Sequence, residues 1–469
     1  MAKKKSLVMK FGGTSVGTPE AIERAARIVA DSLERWPHTT VVLSALSGVT
    51  NLLLEGAHKA ADGDVSVAEA AADELLERHH HTIEELGIDP AVQRSLFAEI
   101  DQLIGEFRNF CEAIGVLGEA TPRALDTVGS LGERLSVRIF AAVLDRMGIP
   151  AEAIEASRLI ITDSNFLAAH PDWTATRRQV SKHLVPVLER GTVPVVTGFM
   201  GANPAGVITT MGRGGSDFSA AILAAALQAD EVWIWTDVDG VMTADPRIVP
   251  NARTIPTLSY LELAELAYFG AKVLHPKTIR PVIEAGIGLA IRNTFEPSAR
   301  GTRLLAKGAS SSEQTVKAVT SIRGQVLITI EGSGMLGVPG VAARAFGAVA
   351  QTGTNVILIS QASSEQSISF AVSADSAETV ISAIETTFSI ELMNREIDRV
   401  WASEEVVIVT VVGAGMRHTP GVAARVFSAL GEHRVNVIAI AQGSSEVAIS
   451  LVVAAKDMEL TVRSLHDLI

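Results

Sequence analysis

Apolar residues follow two different patterns along the chain. Up to about residue 300, short apolar runs alternate with longer segments in which apolar residues recur at helical spacing. Such runs are typical of strands buried on both faces, and their alternation with helices predicts an α/β fold with a mostly parallel sheet sandwiched by helices. Ligands of such sheets bind at the carboxyl ends of the strands. We therefore look for the functional site in the turns that follow the apolar runs.

The runs also place individual elements. Strands are predicted at Ser6–Phe11, 40–44, Val193–Thr197 and Glu231–Thr236. Helices are predicted over 19–35 and 218–227, and a long helical stretch is predicted over about 50–114 with a break near residues 87–90.

The last third of the chain contains an internal repeat. The matched positions share a constant offset of 81 residues (420 − 339 = 81), as in Pro339 and Pro420, Asn355 and Asn436, and Gln361 and Gln442. Each copy has the pattern strand, helix, strand, hairpin, strand, helix, which indicates two ferredoxin-like α+β domains. The boundaries predicted from these patterns are 1–305 for the first domain and 324–400 and 401–469 for the repeats, with a Gly- and Ser-rich linker at 300–314.

Composition and charge narrow the classes of function. The chain has 469 residues, 47% of them hydrophobic, and a formal net charge of −13. This charge argues against a nucleic-acid or anionic-membrane partner, so a bound nucleotide would need a local positive site. Cys111 is the sole cysteine, and there is no signal-peptide core and no apolar run of about 18 residues. A cytoplasmic protein is expected.

The end of the first strand and the glycine turn that follows it read Lys10-Phe11-Gly12-Gly13-Thr14-Ser15. Glycines let the backbone approach a phosphate, the following helix start adds free N–H groups, and Lys10, expected to be exposed, adds a full charge. The alternative is a helix N-cap region with a solvated lysine. No G-x-x-x-x-G-K-[S/T] motif is present, which excludes Walker-type kinases.

The same turn also fits a different class of enzyme. Gly13-Thr14-Ser15-Val16-Gly17 matches the G-x-S-x-G nucleophile elbow of serine hydrolases. The elbow would lie on the first strand, with little sheet before it, and no oxyanion segment is visible. We therefore place the hydrolase second.

Four further motifs carry candidate binding groups. Thr209-Thr210-Met211-Gly212-Arg213-Gly214-Gly215-Ser216-Asp217 opens an alanine-rich helix, where Arg213 suits a carboxylate or phosphate and Asp217 either orients the reaction or caps the helix. The acidic turn from Trp235 to Arg247 follows a predicted strand and, taken alone, could be a surface hairpin. The Lys272 segment is another possible phosphate contact. Glu133, in Gly132-Glu133-Arg134, could pair with a substrate ammonium group or cap its helix.

Three adjacent histidines, His79, His80 and His81, form no metal-ligand pattern, because adjacent helical residues do not face one ligand. We interpret them as a solvated face.

In this order, the motifs resemble those of the aspartate kinases. The resemblance adds Ser44-Ala45-Leu46-Ser47-Gly48-Val49-Thr50-Asn51 and covers essentially the whole chain. The tandem repeat resembles the paired ACT domains of that family, whose intertwined arrangement implies a possible extra strand from 315–322. Because no dinucleotide-binding motif follows the repeats before Ile469, we expect the monofunctional form without a homoserine dehydrogenase domain.

The resemblance implies ATP-dependent phosphorylation of L-aspartate to 4-phospho-L-aspartate, with Mg²⁺, at the start of lysine, threonine and methionine biosynthesis. It implies that Lys10 and Asp217 are catalytic, with direct metal ligands unknown. The residues implied for aspartate binding are Thr50, Glu133, Phe199, Arg213, Gly214 and Ser216. Those implied for ATP are Lys10, Phe11, Gly12, Gly13, Ser15, Thr236, Asp237, Met242, Arg247 and Lys272.

The repeats imply regulation by an amino acid. Gln361 and Gln442 occupy equivalent positions, and an amide offers a donor and an acceptor to a polar effector. These two glutamines, together with Asn355 and Asn436, are predicted to form effector sites for threonine, with lysine as the alternative effector. The alternative role for the glutamines is only to hydrogen-bond the backbone of their own turns. ACT strands pairing edge to edge predict a homodimer or a larger homo-oligomer. Two alternatives remain. One is a kinase for glutamate or for an N-acetylated relative of it, and the other is a non-enzymatic sensor of the ACT type.

Overall fold

The computed structural model describes residues 5–271, 274, 276–305, 314–335, 338–361 and 366–469. By their contacts these residues form two compact units. The first contains Met1–Val241, Pro256–Tyr260 and Val273–Ala309, and the second contains Met242–Ile255, Leu261–Lys272 and Ser310–Ile469. In the described part of the chain, no helix is long and apolar enough to cross a membrane.

The first unit is built on an eight-stranded sheet, within the described residues, in the order β3-β4-β2-β1-β7-β9-β10-β8. All neighbouring pairs are parallel except β9 with β10, which confirms the predicted mostly parallel sheet. A separate antiparallel hairpin joins β5 to β6. The strands are β1 (Ser6–Phe11), β2 (His38–Leu43), β3 (Ala151–Ile154), β4 (Val193–Thr197), β5 (Met200–Ala202), β6 (Ile208–Thr210), β7 (Glu231–Thr236), β8 (Thr257–Ser259), β9 (Gly288–Asn293) and β10 (Thr302–Leu305).

Helices connect these strands. They are α1 (Pro19–Leu33), α2 (Val49–Ala61), α3 (Val65–Glu85), α4 (Pro90–Leu117), α5 (Pro122–Gly129), α6 (Leu131–Arg146), α7 (Trp173–Gln179), α8 (Val185–Glu189), α9 (Gly215–Leu227), α10 (Tyr260–Tyr268) and α11 (Pro276–Glu284). A π-helical turn, Val180–Leu184, joins α7 to α8. The first helix begins where its sequence predicts, because Thr18 accepts a hydrogen bond from the Ala21 N–H and Pro19 occupies the first helical position.

Two predictions of elements from the sequence were wrong in detail. The helical stretch 50–114 has a second break at residues 62–64, where Gly63 has a left-handed backbone (φ 91°) between α2 and α3. The predicted linker 300–314 contains strand β10, which pairs with β8 and β9; residues 306–313 lie outside the described part.

The histidine run is not a uniformly solvated face. His79 is 0% exposed, and its Nδ1 lies 2.6 Å from the Leu75 carbonyl oxygen, whereas His81 is exposed. Successive helical residues point about 100° apart, so one of three neighbours can face the core while the others face solvent. Burial lowers the pKa of His79 to about 4, which keeps the ring neutral.

The second unit contains the two repeats. Its strands form one seven-stranded sheet within the described residues, and the two copies follow the predicted ferredoxin-like order. The strands are β11 (Ala318–Glu331), β12 (Leu358–Gln361), β13 (Ser367–Ser373), β14 (Arg399–Ala402), β15 (Val406–Val412), β16 (Ala439–Gln442) and β17 (Ala448–Ala454). Besides α10 from Leu261 onward, the helices of this unit are α12 (Val341–Gln351), α13 (Ala377–Thr387), α14 (Ser389–Met393), α15 (Val422–Glu432) and α16 (Met458–His466).

Each repeat receives a strand from the segment that precedes the other. Residues 318–322 at the start of β11 pair with β15 of the second copy, and β14, just before the second copy, pairs with the end of β11 in the first. These two segments are themselves equivalent under the repeat offset (399 − 318 = 81). The exchange explains why the two copies share one continuous sheet.

Residues 242–255 also pack within the second unit. Ala244, Ile248 and Val249 are buried in the core of the second repeat. Thr243 Oγ1 lies 2.9 Å from His466 Nε2. The second unit therefore includes a segment that lies between β7 and β8 in the sequence. The domain boundaries predicted from the sequence, 1–305, 324–400 and 401–469, are not tested by this division and stay predictions.

Candidate active site

A cleft with a volume of about 850 Å³ lies in the first unit, at the carboxyl ends of strands β1, β2, β4 and β7. The loops that leave these strands stay joined beyond the strand ends. The Gly12 N–H donates to the Trp235 carbonyl at 3.2 Å, the Ser44 N–H to Phe11 at 3.2 Å, and the Gly198 N–H to Leu43 at 2.7 Å. The sheet therefore sets the positions of the first residues of each site loop.

An ion pair lies at the centre of the cleft. Lys10 Nζ is 2.6 Å from Asp217 Oδ1, and the two side chains are 10% and 16% exposed. The prediction of an exposed Lys10 was wrong, because Lys10 is a residue of β1 rather than of the turn. The strand holds the ammonium group in place, and the carboxylate offsets part of the cost of burying it.

The amino end of α9 faces the same cleft. Gly214 has a left-handed backbone (φ 71°), which only glycine adopts at low cost, and α9 begins at the next residue. Arg213, just before it, is exposed and has no ion-pair partner among the described residues. A helix N-terminus together with a free guanidinium is suited to binding an anionic group.

Glu133 lies in the first turn of α6 and lines the cleft, although it is only 3% exposed. Its Oε2 has no hydrogen-bond partner among the described residues. Burial raises the pKa of Glu133 to about 8, against the opposing effects of backbone N–H groups at Ala45 and Glu133 and of the Lys10 charge. A buried acceptor without a partner is costly, so this oxygen suits a cationic ligand.

Ten of the predicted site residues line this one cleft. They are Lys10, Gly13, Thr50, Glu133, Phe199, Arg213, Gly214, Ser216, Asp217 and Asp237.

Other predicted residues lie elsewhere. Phe11 is fully buried and stacks on Trp235 with ring centroids 5.9 Å apart, so its side chain belongs to the core. Ser15 is 0% exposed, and its hydroxyl is 2.7 Å from that of Thr294. A nucleophilic serine must reach its substrate, so this burial argues against the serine hydrolase. Gly12 and Thr236 adjoin the cleft residues in sequence but do not line it.

Two residues predicted to bind ATP belong to the second unit. They are Met242, which forms a bridge with Thr254, and Arg247, whose side chain is 84% exposed and paired with Asp245. Lys272 lies outside the described residues.

The sequence prediction missed part of the cleft wall. The loop after β2 contributes residues 44–48 and Asn51, although only Thr50 was assigned from that motif. Leu167 also lines the cleft and belongs to no motif, and Thr210 lines it as part of the motif that opens α9, although no role was assigned to it. The signal for the first group was its position directly after a buried strand.

The predicted effector residues end equivalent strands. Gln361 is the last residue of β12 and Gln442 the last residue of β16, and both are exposed. Asn355 and Asn436 are exposed in the segments before these strands. The Ser-Ser-Glu turn that follows Gln361 lies outside the described residues.

Carboxylate oxygens are the ligands that Mg²⁺ prefers, and Asp217 and Asp237 both line the cleft. The donor set therefore fits a Mg²⁺ ion that arrives with a nucleotide.

Comparison with known families gives two matches. A model described as the amino acid kinase family matches residues 5–293, and an ACT domain model matches residues 328–388 and 409–468. The first covers the segment that contributes the cleft, and the second covers both repeats.

Curated relatives match along nearly the whole chain. The bifunctional aspartokinase/homoserine dehydrogenase 1, chloroplastic, of Arabidopsis thaliana is 38% identical, with 98% of this chain and 50% of that protein covered. The chain thus spans about half the length of this relative and of others like it. Aspartokinase 1, chloroplastic, of the same plant is 34% identical, with 98% and 79% covered.

Two solved structures of E. coli aspartokinase III are also similar. The complex with aspartate and ADP (R-state) is 31% identical with a TM-score of 0.81, and the match covers 99% of this chain and 100% of that one. The complex with lysine and aspartate (T-state) is 32% identical with a TM-score of 0.79, covering 98% and 99%.

Proposed function

This chain belongs to the amino acid kinase family and to its aspartokinase members, and we propose that it transfers the γ-phosphoryl group of ATP to the side-chain carboxylate of L-aspartate. The product would be 4-phospho-L-aspartate, the first intermediate on the route to lysine, threonine and methionine.

The observation that carries this proposal is the buried Glu133 oxygen without a partner. An α-ammonium group would fill its unused hydrogen-bonding capacity and stabilise its charge. An N-acetylated substrate lacks that ammonium group. Arg213, at the mouth of the same cleft, is suited to the α-carboxylate, because guanidinium binds carboxylate through two parallel hydrogen bonds.

The reacting carboxylate needs no general base, because it is ionised at neutral pH. The difficulty is to bring two anions together. Lys10 and the N–H groups at the start of α9 supply positive charge where the transferring phosphoryl group would lie. Asp217 therefore orients Lys10 rather than accepting a proton.

The nucleotide would occupy the side of the cleft next to Gly12, Gly13 and Asp237. The assignments of Met242, Arg247 and Lys272 to ATP stay predictions from the sequence. The binding of ADP by E. coli aspartokinase III supports a nucleotide at this family's site. Mg²⁺, bound with the phosphates, would be held by Asp217 and Asp237 and would neutralise phosphate charge.

Feedback inhibition by L-threonine is proposed for the ACT region, with lysine as the alternative that the E. coli lysine complex supports. Gln361 and Gln442 are the proposed effector contacts, each at the exposed end of a strand.

A homodimer or larger homo-oligomer is proposed through the edge strands of the ACT sheet. Ile359 on β12 and Ile440 on β16 are 51% and 46% exposed, which is unusual for large apolar side chains on edge strands.

An acyl-phosphate trap tests the catalytic proposal. Hydroxylamine converts the product to a hydroxamate, and we expect signal with ATP and L-aspartate and little with L-glutamate or N-acetyl-L-glutamate. Glu133→Gln should lower the aspartate signal selectively, whereas Glu112→Gln, on the exposed face of α4, should not. A stronger signal with either alternative substrate would refute the aspartate assignment.

A further inference from the structure

The Asp126 side chain is a buried polar group that the proposed reaction does not use. It lies on α5 and is 0% exposed. Its two oxygens accept hydrogen bonds from the Leu167 N–H at 3.1 Å each, and Oδ2 accepts one from the Thr210 N–H at 3.0 Å. The Thr210 hydroxyl donates to Oδ1. Three donors from two segments distant in sequence thus converge on one side chain.

Burial and these contacts shift the pKa of the group in opposite directions. Burial raises the pKa of Asp126, and the donors at Thr210 and Leu167 oppose that rise by favouring the carboxylate. A buried acceptor with three donors organises its neighbours, since each donor would otherwise be buried without a partner.

Both bonded segments form the wall of the cleft. Leu167 and Thr210 line it, and Thr210 is the last residue of β6, three residues before Arg213. Leu167 has a left-handed backbone (φ 65°), a conformation that is costly for a non-glycine residue and persists only where its surroundings hold it. The bond from its N–H to Asp126 is one such restraint.

The Leu167 backbone in turn contacts the turn that carries Arg213. A Cβ added at Gly212 would lie 2.8 Å from the Leu167 carbonyl oxygen, so the two backbones touch. On the other side, the Met211 N–H donates to the Phe199 carbonyl at 3.0 Å. The Gly212–Arg213 turn is therefore held between the Leu167 segment and the Phe199 loop.

We infer that Asp126 is a positioning residue for the amino-acid side of the cleft: it ties the Leu167 segment to β6 and so fixes the turn that presents Arg213 to the substrate. This rests on the proposed function only for the identity of the substrate. Lys10 is outside this network, so loss of Asp126 should disturb the amino-acid side more than the nucleotide side.

The test compares three variants by steady-state kinetics and thermal denaturation. Asp126→Ala removes the acceptor, and the KM for aspartate should rise by roughly 10- to 100-fold while the KM for ATP stays within about twofold, because misplaced substrate-binding groups have effects of that size. Asp126→Asn keeps an oxygen for both N–H groups and a donor for the hydroxyl, so it should restore most of the aspartate affinity. Thr210→Val removes only the hydroxyl donor and should give an intermediate KM for aspartate.

The outcomes separate this inference from the proposed function. If wild type forms no acyl phosphate with aspartate, the proposed function fails. If wild type is active and Asp126→Ala leaves the KM for aspartate unchanged, or raises both KM values equally, the positioning role is refuted. If Asp126→Ala does not fold, Thr210→Val decides, since an unaltered KM for aspartate in that folded variant also refutes the role.

Discussion

Replacing Glu133 with glutamine removes a carboxylate whose pKa burial raises from 4.5 to about 8. With that pKa, about one tenth of the side chain is ionised at pH 7 and about one hundredth at pH 6. Only the ionised form offers a charge to the substrate ammonium. The apparent affinity for aspartate should therefore fall with the ionised fraction, so the KM of wild type should drop about tenfold from pH 6 to pH 7 and level off above pH 8.

Glu133→Gln keeps the shape of the side chain but does not titrate. Its KM for aspartate should be raised at pH 8 and nearly independent of pH, and its KM for ATP should match that of wild type. Initial rates from pH 6 to 8.5, with aspartate and ATP varied separately, give these values. Identical pH profiles for wild type and Glu133→Gln would refute the assignment of Glu133 to the ammonium group, and Glu112→Gln is the control for an exposed glutamate.

The same shift in pKa acts on stability without substrate. The unfolded state ionises near pH 4.5 and the folded state near pH 8, so the folded state binds more protons between these values and stability falls as pH rises. The full effect is on the order of 5 kcal/mol at 1.36 kcal/mol for each pH unit. The melting temperature of Glu133→Gln, measured relative to that of wild type, should therefore rise as the pH increases from 5 to 8. A constant difference would show that Glu133 does not carry the raised pKa.

Four other substitutions test separate parts of the proposal. Lys10→Ala should lower kcat about 100-fold or more, since one preorganised charge contributes about 2.7–4 kcal/mol to transition-state stabilisation. Because Asp217 loses its partner in this variant, circular dichroism should confirm that the protein is folded. Normal turnover in a folded variant would show that Lys10 is not catalytic. Arg213→Ala should raise the KM for aspartate far more than that for ATP, and an equal rise would place Arg213 outside the amino-acid site. Gln361→Ala and Gln442→Ala should weaken inhibition by threonine while leaving the uninhibited kcat nearly unchanged. If millimolar threonine does not inhibit wild type, threonine is not the effector and lysine is the one to test.

Strands buried on both faces were the easiest elements to predict. The apolar runs at Ser6–Phe11, Val193–Thr197 and Glu231–Thr236 coincide with β1, β4 and β7, because continuous burial leaves a continuous apolar signal. Strand β10 was missed because it is four residues long and includes an exposed arginine, Arg303. Its pairing with β8 and β9 depends on residues that are distant in sequence, which a short local pattern does not reveal.

Some site residues could likewise be predicted from the sequence and others could not. Lys10 and Arg213 were predicted because each lies in or beside a turn at a strand or helix end, where ligands of parallel sheets bind, whereas Asp237 was assigned only through the resemblance to aspartate kinases. Asp126 was not predicted, because an acidic residue on an amphipathic helix usually faces water, and its burial depends on donors from Leu167 and Thr210. His79 shows the same limit, since the side of the helix it faces was set by packing.

The charges of the cleft resolve an apparent conflict between a net charge of −13 and the binding of two anions. The cations among its described lining residues are Lys10 and Arg213, and the carboxylates are Glu133, Asp217 and Asp237. Burial keeps Glu133 largely protonated near neutral pH until a cationic group arrives, so it adds little negative charge to the empty cleft. Asp217 is paired with Lys10, and Mg²⁺ bound with a nucleotide would offset Asp237. Each carboxylate is thus masked by burial or by a partner, and Arg213 and the start of α9 remain free to attract the anions.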